Sequence, residues 1–269
     1  NANLSTVHNE VLELGTRKTL EHDIVVNGQR PLRSTVGKPW YSYYVLKTNG
    51  IFQSQEEINN YKWTDPNTGL TNLIQPNAKP GDLRYVDFNN DGKINSDDNQ
   101  YMGSYMPKIT FGFGGNLNYK NLDFSFQFQG VGKSTIYNAF KQMTLTGRQQ
   151  GGNMLKDILN AWDYNHPSGI PRLALVDDPN GNYTNPSDFY LEDGSYLRLK
   201  NLTLGYTLPQ QWLNALGLKK STLRLYFNCE NLFTITDYTG IDPEVGNFGL
   251  DGGVYPVARS FTIGFNFGF

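Results

Sequence analysis

Between residues 87 and 98 the chain sets Asp87, Asn89 and Asp91 at alternate positions, then Gly92, the carbonyl of Lys93, Ile94 and finally Asp98. That is the spacing of a calcium loop, in which oxygens from successive odd positions converge on one hard cation and a glycine makes the sharp turn. Asp98 stands where a bidentate Glu is usual, which shortens the reach. No flanking helices are evident, so a complete EF-hand is not expected. Either Ca2+ holds this loop, stiffening it without doing chemistry, or Asx turns hold it by side-chain to backbone hydrogen bonds.

Other chemical candidates are weaker. The stretch GVGKST at residues 130–135 resembles the end of a phosphate loop, but the required first Gly falls on Gln127 and the strand-to-helix context is missing. His8, His22 and His166 are far apart and lack the spacing of a zinc site. No Ser and His share a nucleophile motif, so no catalytic residues are assigned and an enzyme is not expected. Trp162, Tyr164, Asn165, His166, Tyr183 and Tyr190 lie in a long polar stretch, where rings can stack on a sugar or peptide and amides can hydrogen-bond to it. Each could equally pack one loop against another.

The elements that must position these groups are strands. From Ile109 to Tyr119, and again from Leu122 to Gln129, apolar residues alternate with Gly, Asn, Asp, Ser and Gln across a two-residue turn at Lys120-Asn121. Period two with such a turn reads as a hairpin. The run 196–208 changes phase, which places a β-bulge near Lys200-Asn201. Leu223 to Cys229 and Phe261 to Phe269 alternate in the same way. Segments 24–26, 40–52 and the first fifteen residues add weaker strands, for seven or eight in all. Trp40, Tyr41, Tyr43 and Tyr44 read as an interfacial aromatic girdle, and "QQWLNALG" as about two helical turns ended by Gly217.

Composition fits this pattern. The 269 residues include 17 Tyr and 16 Phe, yet the mean hydropathy is -0.52, so the rings are distributed by alternation and not massed in runs. A net charge of -2 excludes a phosphate-backbone surface, so no nucleic-acid partner is expected. The one cysteine, Cys229, has no partner within the chain and reads as packing. No stretch has the length and apolarity of a membrane-spanning helix, but barrel strands need only about ten alternating residues. Long connections at about 53–107, 132–194 and 234–256 against short turns on the other side are the asymmetry of an outer-membrane barrel. The start "NANLSTVHNE" has no Met, basic segment or apolar segment, as expected of a processed or internal piece.

The strings "GDLRYVDFNNDGKINSDDNQYMGSYMPKITFGFGGNLNYKNLDFSFQFQGVGK", "SYLRLKNLTLGYTLP", "LRLYFNCENLFTITDYTGIDPEV" and "YPVARSFTIGFNFGF" resemble, in this order, the C-terminal part of the SusC/RagA family of TonB-dependent outer-membrane transporters. The resemblance implies an all-β fold: the last antiparallel strands of a transmembrane β-barrel, 22-stranded and plugged, with the plug domain and more than half of the strands outside this chain. It also implies the outer membrane of a Gram-negative bacterium, import of a glycan or oligopeptide, a SusD-like lipoprotein partner, and TonB acting through the missing N-terminal part. Phe269, a final aromatic on the last strand, is then the expected signal for barrel assembly. The competing reading is a soluble calcium-stabilised β-sandwich that binds carbohydrate. It requires the rings to face a second packed sheet.

Overall fold

In a computed structural model, residues 1–146, 152–174 and 177–269 are described. Six long strands form one antiparallel wall: β1 (Ala2–Thr6), β2 (Ile109–Tyr119), β3 (Leu122–Gly132), β4 (Tyr196–Thr207), β5 (Thr222–Glu230) and β6 (Ser260–Gly268), neighbours in that order. A short seventh strand, Thr234–Thr236, pairs with the far end of β4.

Register fixes which face each side chain takes, because a strand alternates faces with period two. Leu117, Phe124, Leu204, Phe227 and Ile263 form one cross-strand row. The adjacent row is Asn116, Ser125, Thr203, Asn228 and Thr262. Aliphatics and phenylalanines therefore share one continuous face and amides and hydroxyls the other, with Tyr226 the ring that lies on the polar side. The apolar face is open to its surroundings: Ile263 is 84% exposed, Phe265 68% and Leu117 65%. Among the described residues no second sheet covers it, which is contrary to what a sandwich requires. Its rings pack laterally, Phe113 on Phe128 with centroids 4.8 Å apart.

The expected bulge is present. Gln127 pairs with Asn201 but Phe128 with Leu199, so Lys200 is the extra residue and the phase shift keeps Leu199 and Leu202 on the same face. The hairpin turn at Lys120-Asn121 puts Lys120 at φ 55, and Asn121 Nδ2 stitches it to the carbonyl of Thr207 at 2.7 Å. Residues 208–221 carry the expected helix, Gln210–Ala215, followed by Gly217 at φ 79.

The other rim carries three long connections, residues 7–108, 133–195 and 231–259, which fold on each other. They contain a four-stranded sheet ordered Thr19–Glu21, Leu32–Thr35, Ser42–Val45, Gln100–Ser104, and several two-stranded ribbons. Segment 40–52 is thus part of the loop body, not the wall, and 24–26 makes only an isolated bridge from Val26 to Gln29. The girdle assigned to Trp40, Tyr41, Tyr43 and Tyr44 is corrected in the same way. Tyr43 is wholly buried with Leu32, Val45, Tyr137, Tyr183, Tyr190 and Leu250. Tyr41 stacks on His22 and Phe248, and Tyr44 meets Tyr101.

A tyrosine-rich core suits irregular connections. Carbonyls outside any ladder still need donors when buried, and a phenol supplies one at the end of an apolar ring. Tyr43 donates to the carbonyl of Gly249 at 2.8 Å, Tyr85 to Gly181 at 2.8 Å and Tyr137 to Gln142 Oε1 at 2.7 Å. Burial pushes all three phenols up.

Candidate functional site

Three places bring polar side chains together: the polar face of the wall, its rim, and the loop body above. On the wall, Asp123 of β3 and Arg224 of β5 reach over the intervening strand, with Nε to Oδ1 at 2.9 Å and Nη2 to Oδ2 at 2.5 Å. The gap is Gly205 of β4, where a Cβ would collide with both side chains. One strand further, Tyr226 lies across Gly264. Thr203 donates to Asn228 at 2.8 Å. Ser125, Gln127, Thr203 and Asn228 all lie on the polar face by register, so this side can line an aqueous passage.

At the rim, the bulge turns Arg198 and Lys200 toward the last long connection. Arg198 Nη2 donates to Asp242 Oδ1 at 2.7 Å, and Nη1 stands 3.3 Å from Glu244 Oε2. Lys200 and the Tyr196 hydroxyl both reach Glu244 Oε1, at 2.7 and 2.8 Å. Asp242 also accepts the amides of Glu244 and Val257. Burial alone would raise the Asp242 carboxyl, but those amides and Arg198 outweigh it and hold it below its ordinary 3.8. Sequence reading missed this clamp. Its only trace was an Arg between two leucines of the strand run, and the Asp242 that pairs with it stands 44 residues further on.

The loop body divides the predicted ligand residues between core and surface, with Trp162 and Tyr164 meeting edge-on at a centroid distance of 5.0 Å. Tyr183 and Tyr190 are core residues, 1% and 0% exposed, with hydroxyls bound to the carbonyls of Pro171 and Asn182 at 2.9 and 2.8 Å. They have no face left for a ligand. Trp162 is buried over Gly81, its Nε1 donating to Gln53 at 2.8 Å. Tyr164, Asn165 and His166 do come together, in an exposed turn closed by Asp163, which accepts the amides of Asn165 and His166 at 2.7 and 3.0 Å.

The acidic loop is held by its own backbone. Asp87 accepts the amides of Gly92 and Asp91, Asp91 that of Lys93, and buried Asp98 those of Phe88 and Asn95. Trp63 covers Gly92, which sits at φ 81. Among the described residues no three His, Cys, Asp or Glu side chains gather to hold a metal ion. Asp87, Asn89, Asp91 and Asp98 each accept a backbone amide of this same loop, Lys93 giving its own to Asp91, which is the bonding of an Asx-turn nest. Chelation with EDTA is expected to leave the rate of protease cleavage within 87–98 unchanged. Slower cleavage on adding calcium would place the ion in this loop.

No family model matches the chain. A TonB-dependent receptor of Formosa agariphila is 35% identical over 279 residues, covering 98% of this chain and 26% of the receptor. The chain belongs to the SusC-like TonB-dependent receptors. The TonB-dependent receptor SusC of Bacteroides thetaiotaomicron is 30% identical over 197 residues, 73% of this chain and 18% of SusC. A RagAB peptide transporter structure superposes with a TM-score of 0.69 at 24% identity, over 98% of this chain and 26% of that one. The RagAB peptide importer in its "closed-closed" state does so with a TM-score of 0.68 at 25% identity, with the same coverage. This receptor chain thus spans between about a fifth and a quarter of the length of those proteins. The relatives are receptors and transporters, not enzymes. The ring-covered face of the wall is accordingly the lipid face of a Gram-negative outer-membrane barrel.

Proposed function

We propose that this chain supplies wall strands and the outer loop body of a TonB-dependent importer of nutrient oligomers, glycan or oligopeptide. A SusD-like lipoprotein covers the loop side, and TonB acts through a part of the receptor outside this chain. The chain itself performs no covalent step. Its wall holds lipid on one side and a polar passage on the other, while the three interlocked connections stand where cargo enters. The exposed turn of Tyr164, Asn165 and His166 offers the loop body's ligand contact.

One observation carries the reading: adjacent cross-strand rows, all apolar and all polar, run unbroken over five strands. Such a two-faced wall, bare on its apolar side, is stable only in lipid. The test is extraction of the full-length receptor from cell envelopes. It is expected to stay with the outer membrane in plain buffer, and to enter detergent together with a surface lipoprotein and bound oligomer identifiable by mass spectrometry. Release into plain buffer would overturn the reading.

A further inference from the structure

The short-turn rim has a feature that a plain hairpin lacks. β2 joins β3 through two residues, but β4 joins β5 through residues 208–221, which include helix Gln210–Ala215. The helix is pinned by Leu213, 1% exposed. Its exit is fixed by Gly217 at φ 79 and by the amide of Leu218 on the carbonyl of Leu213 at 3.0 Å. A rigidly held element thus displays Trp212 at 57% exposure and Leu216, one turn on, at 71%. Lys219 and Lys220 follow at once. The rim as a whole, residues 119–122, 207–223 and 267–269, contains Lys120, Lys219 and Lys220 and no Asp or Glu. Tyr119 and Phe269 are exposed on it as well.

We propose that this helix and its exit turn are a lipid anchor, seated on the phospholipid of the leaflet at the short-turn rim. Trp212 and Leu216 enter the boundary between headgroups and acyl chains, and Lys219 and Lys220 meet lipid phosphates. Three arguments choose this occupant. The helix stands at the edge of the lipid-facing wall, since β4 and β5 carry the outward row of Leu204 and Phe227, and then Leu225, toward this rim. An acid-free rim with three lysines is complementary to anionic phosphates and would repel an acidic partner. An indole is amphipathic in the way the interface is, with an N–H for the wet side and a ring for the acyl side. The inference rests on the barrel reading, which makes this the periplasmic rim.

The test uses the intact receptor in bilayer nanodiscs of phosphatidylethanolamine and phosphatidylglycerol, with and without bromine on the upper acyl chain. Wild type and Trp212→Phe are compared, so that the difference spectrum belongs to Trp212. Brominated lipid is expected to quench most of that difference emission. Lys219→Gln with Lys220→Gln is expected to reduce the quenching. An unquenched Trp212 overturns the anchor, whether its emission is red-shifted by water or blue-shifted against another protein segment. Cargo uptake by the same variants is read separately: unquenched Trp212 with normal uptake rejects the anchor and leaves the importer standing.

Discussion

Arg198→Met is expected to cost about 3–5 kcal/mol, because it strips the cation from a buried pair while its anionic partners stay in place. The Arg198 side chain is 3% exposed and that of Asp242 10%, so little solvent is available to replace the lost contacts. The loss should concentrate in the last connection: limited proteolysis is expected to cut within 237–257 in the variant and not in wild type. Adding Asp242→Leu should recover part of the loss, since it removes the bare carboxylate while Glu244 keeps Lys200 at 2.7 Å. Glu244→Gln should cost less, its side chain being 24% exposed. Acid gives an independent check. The Asp242 carboxyl is held below its ordinary 3.8 in the fold, so its contribution is complete above that value and fades as pH falls through the lower folded one. If cleavage in Arg198→Met follows the wild-type pattern, the clamp does not hold this connection.

Phe227→Lys in the full-length receptor is expected to destabilise the barrel in lipid by about 2–4 kcal/mol, the cost of a lysine near the bilayer midplane on a lipid-facing position. Phe227 is central in β5, flanked by Leu204 and Ile263 on the ring face. Gln127→Lys, equally central in β3 and paired with Gly114 and Asn201 on the polar face, is expected to change stability by less than about 0.5 kcal/mol, as exposed substitutions usually do. Urea unfolding in vesicles, followed by the mobility of the unheated barrel in gels, measures both. Equal effects on the two faces would mean that the wall does not separate lipid from water.

Much of the wall was legible because local rules govern it. Alternation assigns every residue of 109–129 to a face without knowledge of the neighbouring strand. The phase change at 199–202 could only be absorbed by an extra residue, and the bulge at Lys200 absorbs it. Gly217, free to take φ 79, ended the helical turn where expected. Tyrosine was the residue whose role could not be read. A phenol serves a membrane interface, a ligand or a core equally well, and its spacing is the same in each. Tyr43 was assigned to a girdle and Tyr183 and Tyr190 to a ligand site, yet all three are core. The Tyr43 hydroxyl is claimed by a carbonyl 206 residues away, at Gly249.

By itself, then, the order of residues determined two faces, their strands, the asymmetry of the connections and the kinship with SusC-like receptors. Those properties repeat over a few residues or survive as ordered strings. The tertiary structure decided which polar groups meet: Asp123 with Arg224 at a separation of 101 residues, Arg198 with Asp242, and the Asx nest sealed by Trp63. Such pairs depend on register and on how the long connections fold over the rim. A charge at one position carries no mark of the distant partner that the fold will bring within 3 Å.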